Sequence, residues 1–265
     1  MKVEVLASVM NTSVEQIAKQ MHLQSDAVII NQCDKLDYEE IKYQGNTVRF
    51  FSFPDRGIGK SRNEAILRAD RDICLFSDED IVYEDGYEQK IIDEFEKNPD
   101  ADMILFNVEI EEARRTYFIT ERKRVHWYNC GRYGAVSFAV RRDKLLASGV
   151  TFSLLFGGGA KYSNGEDSLF LKEFMDKGYH VYTAPVKIGR EVAEESSWFY
   201  GYNEKFFHDR GVLYYALYGK AASVMALRFL LAHRNNLCRE TAVKQANIWM
   251  KQGIKEGKRL WNGVH

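Results

Sequence analysis

Two carboxylates separated by a single residue, Asp78 and Asp80, are the residues of this sequence best suited to chemistry. They follow residues 72–76, an apolar run typical of a buried β-strand. Because residues i and i+2 of an extended backbone point the same way, both carboxylates are expected to face one spot. Carboxylate oxygens suit Mg²⁺ or Mn²⁺, which typically binds one or two carboxylates together with phosphate oxygens. The pair predicts a divalent-metal site, and a solvated acidic loop is the alternative.

The segment after Pro54 carries groups that could bind an anion. Its residues Arg56-Gly57-Ile58-Gly59-Lys60-Ser61 superficially resemble a phosphate-binding P-loop, but that motif requires glycine where this chain has Pro54. A P-loop nucleotide triphosphatase is therefore excluded. The segment opens a helix expected at about residues 60–69, whose first turn holds Arg62 and Asn63. Backbone N–H groups and a guanidinium at a helix start could meet a diphosphate, and helix capping beside a solvated arginine is the alternative.

Two further acids, Glu166 and Asp167, stand at the expected start of another helix, behind the glycine-rich residues 157–159. A general base must reach a substrate hydroxyl and benefits from a mobile loop that excludes water. Acidic residues also complement the dipole at a helix N-terminus. The sequence therefore indicates either a catalytic base or a helix cap at this position.

The C-terminal part of the chain adds a histidine and several aromatic side chains. His208 could complete a metal site, or it could be structural. Trp198, Tyr200 and Tyr202 have the amphipathic character expected of a surface on which sugars stack, although a packed core explains most aromatic residues of this region. We treat these three as candidate acceptor-side residues.

The elements that must position these groups alternate between strand and helix, which predicts a largely parallel sheet with crossover helices. Expected strands are residues 3–10, 26–31, 47–53, 72–76, 102–108, 136–140 and 179–183. An amphipathic helix is expected at 87–97, and the chain becomes mainly helical beyond Pro185. Open parallel sheets bind ligands at the carboxyl ends of their strands. The acidic pair lies at such an end.

Composition restricts the class of protein. The chain has 265 residues, 45% of them apolar, and a net charge of −1, which fits one large α/β domain with a modest appendage. Disorder, collagen and a multi-span membrane protein are excluded, and the near-neutral charge argues against a protein that grips nucleic acid. The four cysteines form no C-x-x-C pair, so reduced thiols are expected. With no signal-peptide core after Met1, we expect a cytoplasmic protein.

Taken together and in this order, the motifs resemble those of family 2 glycosyltransferases of the GT-A fold. Residues 56–65 look like the family's helix with glycine, serine, arginine and asparagine, and residues 74–80 look like its strand that ends in a D-x-D motif. Gly165-Glu166-Asp167 resembles its later E-D motif. The similarity covers about residues 1–185. It implies a Rossmann-like mixed sheet flanked by helices, with a GT-A domain at 1–190 and a helical extension at 191–265.

The resemblance also implies an activity, namely transfer of a sugar with inversion from a nucleotide-diphosphate sugar to a hydroxyl of a saccharide or lipid-linked saccharide, in cell-surface polysaccharide synthesis. Asp80, helped by Asp78, would bind Mn²⁺ or Mg²⁺, and Asp167, beside Glu166, would be the base. The donor would lie over the strand ends. The residues implied in donor binding are Ser8, Val9, Asn11, Asn31, Asp34, Arg56, Gly59, Arg62, Asn63, Asp78 and Glu79.

Two other classes of function stay open. A sugar nucleotidyltransferase shares the nucleotide-binding sheet, but it needs a glycine-rich N-terminal loop with basic residues, and residues 7–11 lack both. A non-catalytic sugar-nucleotide-binding module would not need both carboxylate sites, and both are present here. The product distinguishes these classes, because a nucleotidyltransferase releases pyrophosphate.

A helix expected at about residues 212–231 has apolar faces and basic residues near its end. It either packs against the sheet domain or contacts an anionic membrane where a lipid-linked acceptor resides. Residues 111–142 carry eight Lys or Arg against three Glu and could assist such contact. Peripheral association at the inner face of the membrane is therefore the alternative to a purely packed helix.

Overall fold

The structure is a computed structural model that describes residues 1–110, 117–192, 201–237 and 241–262. Within them, nine strands form one mixed sheet in the order β3-β4-β2-β1-β5-β8-β7-β9-β6. The strands are β1 Val3–Met10, β2 Asp26–Gln32, β3 Asp37–Tyr43, β4 Asn46–Phe53, β5 Ile73–Asp78, β6 Ile81–Tyr83, β7 Met103–Glu109, β8 Phe138–Arg141 and β9 Val181–Glu191. The α-helices are α1 Val14–Gln20, α2 Ile58–Arg68, α3 Tyr87–Lys97, α4 Arg142–Ser148, α5 Glu166–Asp176, α6 Glu204–Tyr218, α7 Ala222–Leu237 and α8 Val243–Asn262.

The centre of the sheet is parallel. Strands β4, β2, β1 and β5 run side by side in the same direction, so their carboxyl ends meet at one edge. The register pairs Ser8 with Ile30 on one side and with Asp78 on the other. This edge therefore brings the end of the acidic strand next to the end of the first strand, as open α/β sheets do at their ligand sites.

Apolar side chains cover both faces of the sheet because successive residues of a strand point to opposite sides. Val5 and Ala7 of β1 pack with Ile91 and Phe95 of α3 on one face. On the other face, Leu6 and Phe76 pack with Phe152 and Phe170. The two faces thus anchor α3 on one side and α5 on the other, and α5 is the helix that begins with Glu166.

Helices α6 and α8 pack closely enough to exclude side chains at their contact. A Cβ atom added at Gly253 of α8 would lie 1.9 Å from the backbone oxygen of His208, and one at Gly211 of α6 would lie 2.2 Å from that of Met250. Helix α6 also meets the sheet domain, since a Cβ atom at Gly165 would lie 2.5 Å from the Leu213 side chain. Close approach of backbone requires glycine at Gly211 and Gly253, whereas a φ of +120° favours it at Gly165.

The mixed α/β architecture and the helical C-terminal region confirm the fold predicted from sequence. The helix at Tyr87–Lys97 has the predicted bounds. A single helix at about residues 212–231 was wrong, because Gly219, with a φ of +52°, separates α6 from α7. Strand β3 was not predicted: it lies at the sheet edge, is mostly exposed and lacks an apolar pattern.

Candidate active site

A buried guanidinium, that of Arg62, forms the centre of the site. Its Nη1 lies 2.7 Å from Asp167 Oδ1 and 3.2 Å from Glu166 Oε1, and its Nη2 lies 3.1 and 3.2 Å from the two oxygens of Asp78. The guanidinium also lies 5.1 Å from the centre of the Phe152 ring. Burial alone would lower the pKa of Arg62, but the three carboxylates outweigh it and raise that pKa. One positive charge therefore joins the acidic strand end to the acids of α5.

Both carboxylate oxygens of Asp167 accept hydrogen bonds. Oδ1 faces Arg62, and Oδ2 accepts a hydrogen bond from the backbone N–H of Ala135 at 3.0 Å. Burial raises the pKa of Asp167 while Arg62 opposes the rise. Residues Gly131 and Gly134, which flank this contact, are exposed, so the carboxylate lies beneath a loop that solvent reaches.

Glu166 is a second, more buried acid at the start of α5. Its Oε1 lies near Arg62, and its Oε2 accepts a hydrogen bond from the backbone N–H of Gly165 at 3.1 Å. Burial and the neighbouring charge of Asp167 raise the pKa of Glu166 to about 7, although Arg62 acts in the opposite direction. The Glu166 carboxyl therefore keeps its proton to a higher pH than an ordinary glutamate.

The three acidic side chains at the end of β5, those of Asp78, Glu79 and Asp80, have different surroundings. Asp78, the last residue of β5, faces Arg62 with both oxygens. Glu79 turns toward β1 and accepts a hydrogen bond from the backbone N–H of Met10 at 2.7 Å. Strand β5 ends before Asp80, so the two aspartates do not belong to one extended strand as predicted, although the charge of Asp78 does act on Asp80.

Asp80 has the properties expected of a group that binds a cation. Among the residues the structure describes, no lysine, arginine or histidine forms an ion pair with it. Burial first, and then the negative charges of Asp78 and Glu191, raise the pKa of Asp80 to about 6. A divalent cation would offset these like charges, so Asp80 with Asp78 fits Mg²⁺ or Mn²⁺ if phosphate oxygens supply further ligands. The described residues contain no ready group of three His, Cys, Asp or Glu ligands for a metal.

His208 does not join this pair, which corrects the prediction that it completes the metal site. Its Nε2 lies 3.2 Å from Glu256 Oε2, and its Nδ1 lies 3.6 Å from Asp209 Oδ1. Glu256 also accepts a 2.6 Å hydrogen bond from the Tyr162 hydroxyl. The histidine thus connects α6 to α8.

Three residues of α2 that were predicted to bind a donor serve packing in the structure. Asn63 donates to the backbone oxygen of Phe152 at 2.9 Å and accepts from its N–H at 2.7 Å. A Cβ atom at Gly59 would lie 2.5 Å from the backbone oxygen of Ser153. Arg62 is 3% exposed, and its guanidinium contacts three carboxylates.

A pocket opens between the carboxyl ends of β2 and β4 and the start of α2. It is lined by Ile30, Gln32, Phe53, Asp55, Arg56, Gly57, Lys60, Ser61 and Glu64. The Ser61 hydroxyl is buried there without a hydrogen-bond partner, and so is that of Ser8 on β1. Unpaired buried hydroxyls are uncommon, and a bound ligand is one explanation for them. The sequence interpretation had not selected Gln32, Lys60 or Ser61 as site residues.

The other predicted donor-side residues lie around the same edge with different exposures. Asn31 is buried and donates to Ser52 Oγ at 3.1 Å, which links β2 to β4. Asp34 is exposed, 3.5 Å from Arg56 Nη2. Val9 is buried, whereas Asn11 is exposed with a φ of +48° at the end of β1.

On the acceptor side, Trp198 and Tyr200 lie outside the described residues. Tyr202 is 40% exposed, with its ring centre 5.0 Å from that of Phe206. Other aromatic side chains lie beside Gly131. The Trp127 ring is 6.0 Å from the Tyr218 ring, and the Tyr218 hydroxyl would lie 3.9 Å from a Cβ atom at Gly131. The i, i+4 spacing of Tyr214 and Tyr218 could have indicated this face from the sequence.

Comparison with known proteins agrees with this geometry. The model of the family described as "Glycosyl transferase family 2" matches residues 4–151. A crystal structure of S. aureus TarS 1-349 in complex with UDP-GlcNAc has a TM-score of 0.66 at 14% identity, covering 98% of this chain and 81% of that one. The mannosyltransferase PcManGT from Pyrobaculum calidifontis, in complex with GDP-Man and Mn²⁺, has a TM-score of 0.56 at 12% identity, covering 98% and 87%. No curated protein sequence matches the chain.

Proposed function

The chain belongs to glycosyl transferase family 2, and from this membership we propose that it transfers a sugar from a nucleotide-diphosphate sugar to a hydroxyl of a saccharide or lipid-linked saccharide. The observation that carries the proposal is the contact of Arg62 with Asp78 on one side and with Asp167 on the other. It joins a strand end suited to a metal and phosphates to an acid suited to proton transfer. Donor and acceptor chemistry would therefore meet at one point.

On the donor side, we assign the nucleotide to the edge formed by β1, β2 and the start of α2. The pocket beside Arg56 and the unpaired hydroxyls of Ser8 and Ser61 support this assignment. The neighbours solved with UDP-GlcNAc and with GDP-Man contain nucleotide-diphosphate sugars, which supports the same class of donor here.

Asp80, with Asp78 beside it, would hold Mn²⁺ or Mg²⁺. When bound, such a cation supplies positive charge to the phosphates of the departing nucleoside diphosphate. Three carboxylates contact the single positive charge of Arg62. The site therefore keeps a net negative charge, which favours the binding of a cation. Mn²⁺ in the complex of the mannosyltransferase PcManGT supports a divalent cofactor.

On the acceptor side, Asp167 would take the proton of the attacking hydroxyl. The hydroxyl oxygen forms a bond to the anomeric carbon, the bond from that carbon to the diphosphate breaks, and the proton moves to a carboxylate oxygen of Asp167. Attack from the face opposite the leaving group inverts the anomeric centre. Arg62 and the Ala135 N–H orient the carboxylate for this transfer.

Product analysis tests the proposal against its alternatives. Nucleoside diphosphate should appear only when Mn²⁺, a nucleotide sugar and an acceptor are all present, and NMR of the product should show an inverted anomeric centre. Release of pyrophosphate would identify a sugar nucleotidyltransferase. Donor binding without turnover on any acceptor would identify a non-catalytic binding module. A thermal-shift comparison of UDP-, GDP-, dTDP- and CMP-sugars, each with and without Mn²⁺, identifies the donor to use.

We further propose that residues 1–190 form the catalytic unit and that the helices within 191–265 contribute to its acceptor side, in a cytoplasmic enzyme of cell-surface polysaccharide synthesis. The contact of Leu213 with Gly165, next to the proposed base, supports a role of α6 at that side. In the described part of the chain, none of the helices is long and apolar enough to cross a membrane.

Exposed apolar side chains of α7 support the further proposal that the protein contacts an anionic membrane peripherally. Val224, Leu227 and Leu231, at i, i+3 and i+7, are 71%, 45% and 53% exposed, so they form an apolar stripe on the outside of the helix. The exposed cations Lys220 and Arg234 flank it. An apolar stripe between basic residues is typical of helices that lie at a membrane interface.

A further inference from the structure

A stripe of side chains along one face of α6 is not explained by donor binding or by the transfer step. Phe206, Arg210, Tyr214 and Tyr218 follow one another at intervals of four residues, a spacing that aligns side chains on one side of a helix. The rings of Tyr214 and Tyr218 lie 5.2 Å apart, and the Arg210 guanidinium lies 5.3 Å from the Phe206 ring centre. All four are partly exposed, but Phe206 and Tyr214 also pack against the apolar cluster between α6, α7 and α8, so the stripe faces solvent along only part of its length.

The stripe ends beside the segment of residues 131–135, which contacts the proposed base through Ala135. Tyr218 is its last residue, and the ring of Trp127, which is 48% exposed, lies 6.0 Å away. A Cβ atom at Gly131 would lie 3.9 Å from the Tyr218 hydroxyl and 3.7 Å from Ser168 Oγ, and Ser168 follows Asp167 in the chain. A ligand lying along α6 would therefore end at the segment of residues 131–135, whose Ala135 N–H donates to Asp167.

Arg210 carries a charge that nothing described in the chain balances. Its guanidinium lies between the Phe206 and Phe229 rings, 5.3 and 5.1 Å from their centres, and its Nε is buried without a hydrogen-bond partner. Among the described residues no carboxylate pairs with it, in contrast to Arg62, which contacts three. A shielded cation is costly without a counter-charge, so an anionic group of a ligand would stabilise this arrangement.

We propose that this face of α6, continued by Trp127, binds the acceptor, and that the acceptor is a saccharide chain bearing carboxylate or phosphate groups. Sugar rings stack on Trp127 and Tyr218, since aromatic faces suit the apolar faces of sugars. Arg210 pairs with an anionic group further along the chain. The inference rests on the proposed glycosyl transfer, because it identifies the substrate class for the acceptor side of that site.

The test measures binding of a matched pair of probes by calorimetry, an oligogalacturonate hexamer and its methyl-esterified, uncharged form. A phosphorylated mannan oligosaccharide and its dephosphorylated form are the second pair, which distinguishes carboxylate from phosphate recognition. The wild-type protein should bind the charged member of at least one pair about tenfold more tightly, as a charge-assisted contact predicts. Arg210→Gln should remove this preference, and Trp127→Ala should weaken binding of both members.

Arg122→Gln is the matched control, because Arg122 also lies over a tyrosine ring, that of Tyr182, but near the amino-terminal start of β9. It should leave binding unchanged.

Arg210→Lys, which keeps the charge, should retain part of the preference, and Trp127→Ala alters an exposed residue, so both remain informative if Arg210→Gln does not fold. Equal affinity for charged and uncharged forms, no binding of either charged probe at millimolar concentration, or unchanged binding by Arg210→Gln overturns the proposal. Binding of the nucleotide sugar with Mn²⁺ and release of nucleoside diphosphate are measured on the same proteins, so failure of the proposed transfer function appears separately, as absent donor binding or absent turnover.

Discussion

Arg62 and Asp167 are 105 residues apart in the chain and form an ion pair of 2.7 Å. The same guanidinium contacts Asp78 through its other terminal nitrogen. One guanidinium therefore contacts both the proposed acceptor side and the proposed donor side. The predictions below treat each part of this connection separately.

Asp167→Asn should keep donor binding and lose turnover. The amide preserves the size of the side chain but cannot take the acceptor proton, and general-base catalysis contributes about 10²–10⁴-fold to rate. The rate of nucleoside diphosphate release and the donor dissociation constant are the measurements. Asp176→Asn, at the exposed end of the same helix, is the control. Transfer at the wild-type rate in Asp167→Asn would exclude Asp167 as the base.

Arg62→Gln should lower the free energy of unfolding by about 3–5 kcal/mol, because removal of one partner leaves buried charges uncompensated. Urea denaturation measures the loss. Arg68→Gln, on the same helix and paired with Glu64 at a less buried site, should cost far less. If the two variants were equally stable, the contacts of Arg62 would contribute little to folding.

The free energy of unfolding should fall between pH 5 and pH 8 because of Glu166. Its pKa is about 7 in the folded protein against an ordinary value of 4.5, so between these values the native state binds the extra proton. The stabilisation is present at low pH and is lost as pH rises through 7. Glu166→Gln should flatten this slope, by roughly 2 kcal/mol across the interval. An unchanged slope in denaturant titrations at the two pH values would contradict the raised pKa.

Asp80→Asn should weaken metal-dependent donor binding by at least about tenfold, since one charge-assisted ligand of the cation is lost. Calorimetry with a nucleotide sugar, with and without Mn²⁺, measures the effect. Asp85→Asn is a suitable control because Asp85 lies in the same acidic stretch but is almost fully exposed. The metal role of Asp80 would be wrong if Mn²⁺ enhanced binding equally in all three proteins.

Replacement of Leu227 and Leu231 by glutamine should reduce flotation with liposomes that contain anionic lipid. Loss of two exposed apolar side chains removes buried area at the interface while the flanking cations remain. Leu67→Gln removes a single, 75% exposed leucine on α2 and should have no effect. Flotation that is absent in the wild type, or equal in all variants, would contradict membrane contact by α7.

Much of the fold could be predicted because it follows from local patterns. The apolar runs of β1 and β5 and the amphipathic pattern of Tyr87–Lys97 are encoded within a few residues, and the structure has elements at each of them. Strand β3 could not be predicted because an exposed edge strand has no buried face to impose alternation. The break at Gly219 was missed because apolar residues continue on both sides of it.

The sequence by itself determined which side chains could do chemistry, since carboxylates after a buried strand and acids at a helix start are local features that residue type and spacing reveal. Only the tertiary structure decided how they are used. Arg62 contacts three carboxylates, Asn63 holds the backbone of Phe152, and Arg210 has no counter-charge among the described residues. The physical reason is that the charge partner of a side chain depends on how distant elements pack, and the contacts of Arg62 span up to 105 residues. No local pattern encodes a contact over that distance.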